Sequence, residues 1–190
     1  MEIYDKQIIL DKELNPLDLL VIDFTKALGK TPYVLISGYV SILFGRSRSS
    51  EDIDILIKPL PRTDFLNLCQ TLLTHGFVCI TAEQANAFDE HLSKGLAVHF
   101  ARKGSSIPNM EVKFATGGLL SLALHDRIMV EIGQDRLFIS PIELQIPYKQ
   151  HCLGSEKDLE DARHLEIVFE GKLSAEKLNK YSALIDSYGC

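Results

Sequence analysis

Asp52 and Asp54 stand two residues apart in the run DIDILIK, where charged and apolar residues alternate strictly. A period of two marks a strand with one polar face, so both carboxylates point the same way and Ile53, Ile55 and Ile57 point the other. Like charges this close repel, and a divalent cation held by oxygen ligands offsets that cost. The run MEVKF repeats the pattern, with Met110, Val112 and Phe114 on one face and Glu111 and Lys113 on the other. Glu111 on a neighbouring strand would complete a three-carboxylate site for one or two Mg²⁺ (or Mn²⁺) ions, which can activate an attacking oxygen and stabilise a leaving phosphate. A solvated edge strand shows the same alternation, and the residues alone leave both readings open.

Upstream, Ser37-Gly38 ends the apolar run YVLIS and opens a short helical stretch. A small residue and a glycine there let backbone N–H groups approach a phosphate. The polar loop that follows carries Arg46 and Arg48, whose guanidiniums could meet triphosphate oxygens or simply be solvated. The chain has neither a G-x-x-x-x-G-K-[ST] loop nor a G-x-G-x-x-G fingerprint, so P-loop and Rossmann readings lack support. G-x-S-x-G, HExxH and CxxC are absent too, and the six histidines read as structural.

The run SGYVSILFGRSRSSEDIDILI resembles the first motif of DNA polymerase β-like nucleotidyltransferases, in which a strand, a small-residue pair and a short helix precede hDhDh. That resemblance implies Asp52, Asp54 and Glu111 as metal ligands and catalytic carboxylates, and Ser37 and Gly38 as holders of nucleotide phosphate. The later segment GSEKDLEDARHL resembles the K/R-D-x-x-D motif of the AbiEii-type branch, which includes toxins of abortive-infection systems. Lys157, Asp158 and Asp161 take its positions, and Lys149 stands for the branch's upstream lysine. The implied fold is an α/β (α+β) nucleotidyltransferase type, a short mixed sheet flanked by helices with a C-terminal helical subdomain. The implied activity is Mg²⁺-dependent transfer of an NMP from an NTP to a hydroxyl on tRNA, protein or a small molecule. The alternative is a non-catalytic, antitoxin-like partner on the same fold, and a cognate antitoxin or partner protein is a further expectation.

The elements that must position these residues are legible as patterns. Asn15-Pro16 caps a helix running to Gly29. Strands are expected at Tyr33 to Ser37, along DIDILIK, and at FVCI, LAVHFAR, MEVKFA and RLFI. Helices are expected along TDFLNLCQTLLTHG, capped by Thr63, and along LLSLALHDRIMVEIG. After Ser140-Pro141 the pattern turns helical throughout, which predicts an α/β core over 1–139 and a helical subdomain over 140–190.

Composition sets the frame. The 190 residues are 46% hydrophobic and 24% charged, ordinary for one globular domain. The net charge of −6 argues against a global basic surface for duplex nucleic acid, though not against a local patch. No apolar run approaches a membrane span, and the N-terminus has no signal-peptide core. Four cysteines without metal spacing read as reduced thiols, consistent with a cytoplasmic protein.

Overall fold

The computed structural model describes residues 1–188. Nine strands form one mixed sheet: β1 (Glu2–Tyr4), β2 (Gln7–Ile9), β3 (Tyr33–Leu35), β4 (Asp52–Ile57), β5 (Phe77–Cys79), β6 (Val98–Arg102), β7 (Asn109–Phe114), β8 (Ile128–Ile132) and β9 (Asp135–Ile139). Their spatial order is β1-β2-β8-β9-β3-β4-β7-β6-β5. The helices are α1 (Pro16–Ala27), α2 (Gly38–Leu43), α3 (Arg62–Thr74), the single turn α4 (Gln84–Asn86), α5 (Gly118–His125), α6 (Ile142–Pro147), α7 (Glu156–Val168) and α8 (Ala175–Tyr188).

The fold class is the α/β arrangement expected, but the sheet is long rather than short. Three strands explain the difference. LLSLALHDRIMVEIG is not one helix: α5 stops at His125, and Ile128, Val130 and Ile132 begin a strand. The β-branched residues at alternate positions suit a pleated surface better than a helix. Gly133, at φ 59°, turns β8 back onto β9 in an antiparallel hairpin. The other side of β8 pairs in parallel with β2, so the first ten residues become a hairpin on the sheet edge.

The sheet faces differ. Ile53, Ile55, Ile57, Met110, Val112 and Phe114 are buried on one face under α1 and α3, in the larger apolar core. Leu56, Val34 and Ala115 face the other way, against α5, α6 and α8. Helix α6 contributes to both clusters, Ile142 and Ile146 to the first and Leu144 to the second.

The helix starts are capped unequally. Asn15 makes a full capping box with Asp18 at the head of α1, and Asp18 also accepts from Tyr39 (3.0 Å), tying α1 to α2. Ser174 accepts from the Lys177 backbone N–H at the start of α8. Thr63 does not cap α3; the cap position is Pro61, with no side-chain bond. Pro147 lies inside the helical run after Pro141, and the chain continues from it as a wider π turn over Tyr148–Leu153. A proline lacks the N–H and crowds the carbonyl four residues back, which accounts for the change of pitch.

The cysteines also correct an expectation. Cys69 and Cys79 are free thiols, and burial pushes the Cys69 thiol up to about 12. Cys152 is disulfide-bonded rather than reduced, and Cys190 lies outside the described residues. No helix among the described residues is long and apolar enough to cross a membrane.

Candidate active site

The site is built where β4 and β7 run parallel and in register from Asp52↔Asn109 to Ile57↔Phe114. In-register partners in adjacent strands share a face, so the pairing Asp54↔Glu111 sets those two carboxylates side by side. Asp52 is on the same face but is exposed, and its Oδ1 accepts from Asn109 Nδ2 at 2.6 Å. Antiparallel β6 brings His99 opposite Glu111, with Nε2 3.5 Å from the Glu111 carboxylate. His99 Nδ1 lies 3.1 Å from the Thr81 hydroxyl, which fixes the ring from behind.

Electrostatics single out Asp54. Its carboxyl is pushed up to about 6, first by burial and then by the neighbouring Glu111 charge, with Asp52 adding to the rise. Hydrogen bonding from Ser37 and the charge of Lys149 pull the other way.

Ser37 itself is strained. It is the only non-glycine residue at positive φ among the described residues, with φ 61° and ψ −137° between β3 and α2. A side chain held there costs on the order of 1–3 kcal/mol, and such residues persist where the surroundings over-determine them. The strained turn delivers the Ser37 hydroxyl to Asp54 across the β3–β4 ladder.

Gly38 has a different neighbour from the one its sequence context suggests. A Cβ built there would lie 3.0 Å from an Arg48 guanidinium nitrogen, so the glycine makes room for that arginine. Arg48 in turn binds Asp161 at 2.7 Å, and Arg46 binds Glu160 at 2.6 Å. Arg46 Nε also lies 3.0 Å from Asp161, without hydrogen-bond alignment. Lys149 completes the knot: fully buried, it binds Asp161 at 3.0 Å and approaches Asp158 at 3.8 Å. The loop between α2 and β4 is thereby fastened to α7, helped by His164 against the Phe44 carbonyl at 3.1 Å.

The expected residues therefore fall into two groups. Asp54, Glu111 and Ser37 gather at one cleft, with Asp52 on its rim. Arg46, Arg48, Lys149, Asp158 and Asp161 are brought together too, but mainly with one another. Lys157 is exposed on α7 and makes no ion pair among the described residues. Sequence reasoning missed His99 and Asn109. The alternation of LAVHFAR put His99 on a polar face, but only the strand pairing shows which face Glu111 shares.

Fit to a metal can be judged from the donors. Among the described residues no three His, Cys, Asp or Glu side chains are gathered into a ligand group. The two converging carboxylates, one held up by the other's charge, are nonetheless the all-oxygen donors that Mg²⁺ takes, and Asp52 would join them by leaving Asn109.

No protein-family model matches this chain, and no curated protein does. Among solved structures, it is similar to an antigenic nucleotidyltransferase-like protein from Paracoccidioides brasiliensis, with 18% sequence identity and a TM-score of 0.49, over 93% of this chain and 90% of that one. A likeness of that degree assigns no residue a role.

Proposed function

We propose that the chain is a nucleotidyltransferase that moves an NMP from an NTP to a hydroxyl acceptor. The observation that carries the reading is the in-register pair Asp54 and Glu111 beside a strained Ser37. Asp52, Asp54 and Glu111 would hold Mg²⁺ or Mn²⁺, which when bound supplies charge neutralisation at the phosphates and a more acidic acceptor oxygen. The acceptor oxygen forms a bond to the α-phosphorus while the bond to the leaving pyrophosphate breaks. Glu111 takes the hydroxyl proton, and His99 steadies the carboxylate from 3.5 Å. Ser37 orients Asp54. Lys157, free of ion pairs among the described residues, is left to meet phosphate, whereas Arg46 and Arg48 must first loosen from Asp161 and Glu160.

The finer placement in the AbiEii-type branch rests on Lys157, Asp158 and Asp161 in the motif positions, and the contacts of the upstream Lys149 with both Asp158 and Asp161 support it. A toxin role with a cognate antitoxin belongs to the same proposal.

A second reading has its own support. Three of the cations expected at the triphosphate, Arg46, Arg48 and Lys149, are already engaged with Asp161 and Glu160, which suits a non-catalytic partner on the same fold. Incubating the protein with each α-³²P-labelled NTP, Mg²⁺ and cell extract separates the two. Label transfer that Asp54→Asn and Glu111→Gln abolish supports the enzyme. Absence of transfer with all four nucleotides favours the partner.

A further inference from the structure

A cavity of about 260 Å³ opens beside the carboxylates, and its walls are unlike the polar surface a polynucleotide needs. Leu56 of β4, Leu119, Leu120 and Ala123 of α5, and Leu144 and Tyr148 from the later helical run line it. Its acidic end is Asp54 and Glu111. Lys113 also lines it and is the only cation among the described residues that does.

Lys113 is half-buried, yet no carboxylate among the described residues lies within ion-pair distance of its amine. It follows Glu111 by two residues on β7, on the same face, level with Leu56. One pleat repeat along a strand is about 6.6 Å, so the Lys113 backbone position is offset by that much from Glu111, beside Leu56. A cavity-lining lysine with no carboxylate partner is available to an anionic ligand, with which it makes a charge-assisted hydrogen bond. A triphosphate needs several cations, and one lysine among leucines does not supply them. A single carboxylate on an apolar body matches the charge, and the volume suits a molecule of one or two rings.

We propose that this cavity is the acceptor subsite, and that the acceptor is a small hydroxylated molecule with an apolar ring and one carboxylate. Its hydroxyl end lies toward Asp54 and Glu111 and its carboxylate binds Lys113. The word acceptor rests on the nucleotidyltransferase reading; the ligand class rests on the cavity alone.

The test uses the full chain, without nucleotide, in EDTA and again in Mg²⁺. Calorimetric titration compares 3-(4-hydroxyphenyl)propanoate, its neutral amide and ATP. The propanoate is expected to bind, and Lys113→Met to weaken it at least about ten-fold while leaving the amide unchanged, since an ion-paired hydrogen bond is worth about 1.5–3 kcal/mol. Leu120→Trp, which fills the cavity, should block both ring compounds. Lys113→Gln serves if the Met variant fails to fold. Failure of the propanoate to bind, binding indifferent to residue 113, or ATP binding lost in the Lys113 variant and in Leu120→Trp overturns the proposal. A protein that binds the propanoate as described but transfers no nucleotide would sink only the enzyme reading.

Discussion

Two charged clusters lie on either side of the turn that carries Ser37 and Gly38, and they are built on opposite plans. Around Asp161 each buried charge has a partner of opposite sign: Arg46, Arg48 and Lys149 converge on it from two segments. Around Asp54, burial first and then the like charges of Glu111 and Asp52 push its carboxyl up to about 6, against a weaker pull from Lys149. A cluster neutralised internally holds chain segments together and has little left to offer a ligand. A cluster of like charges is destabilising by itself and is explained by what it binds.

The largest effect expected from this contrast is at Asp161. Asp161→Ala leaves Lys149 buried with only the more distant Asp158, and breaking a buried pair from one side costs about 3–5 kcal/mol. Urea unfolding should show that loss; a change below about 1 kcal/mol would mean the knot is no firmer than a surface ion pair.

Asp54 should behave in the opposite sense. Its folded pKa, raised to about 6, exceeds the unfolded value of about 3.9, so the native state binds more protons between those pH values. Stability therefore falls as pH rises through that window, and the penalty is complete above it. Asp54→Asn in EDTA should stabilise the protein by on the order of 3 kcal/mol at pH 7.5 and by nearly nothing at pH 3.5. Denaturant midpoints at the two pH values check this, and a variant destabilised at pH 7.5 would refute it.

This contrast was only half legible in the sequence. Alternation in DIDILIK and MEVKF places three carboxylates on one face, because a strand's period of two needs no tertiary information. The partners of Arg46, Arg48 and Lys149 could not be read, because they depend on how α7 docks over the α2–β4 loop, 113 residues away in the case of Arg48 and Asp161. Strand β8 was hidden because a leucine-rich helix runs into it with no proline between, and β1 and β2 because three-residue edge strands carry little pattern. The cavity beside Lys113 belongs to no segment, since its lining comes from β4, β7, α5, α6 and the π turn that follows.

Smaller effects sharpen the geometry of the turn. Ser37→Gly should be more stable than Ser37→Ala by about 1 kcal/mol, since both lose the hydroxyl but only glycine accepts φ 61° without strain. Equal thermal midpoints would remove strain from the account. At Gly38 the sign should depend on Arg48. Gly38→Ala crowds the guanidinium and should destabilise the wild type slightly, by less than about 1 kcal/mol, while in an Arg48→Ala background the better helix propensity should make it neutral or stabilising. A double-mutant cycle with no coupling would show that Gly38 is not there for Arg48.

The claim that the acidic face is a cation site is tested most directly by Mn²⁺ binding, followed by electron paramagnetic resonance in the presence of ATP. The wild type should bind Mn²⁺, and Asp54→Asn and Glu111→Gln should each weaken it by more than about ten-fold, since second-shell losses alone run about 10–100-fold. Asp158→Asn, in the internally paired cluster, should leave it unchanged. Equal Mn²⁺ affinity in the wild type, Asp54→Asn and Glu111→Gln would contradict the account.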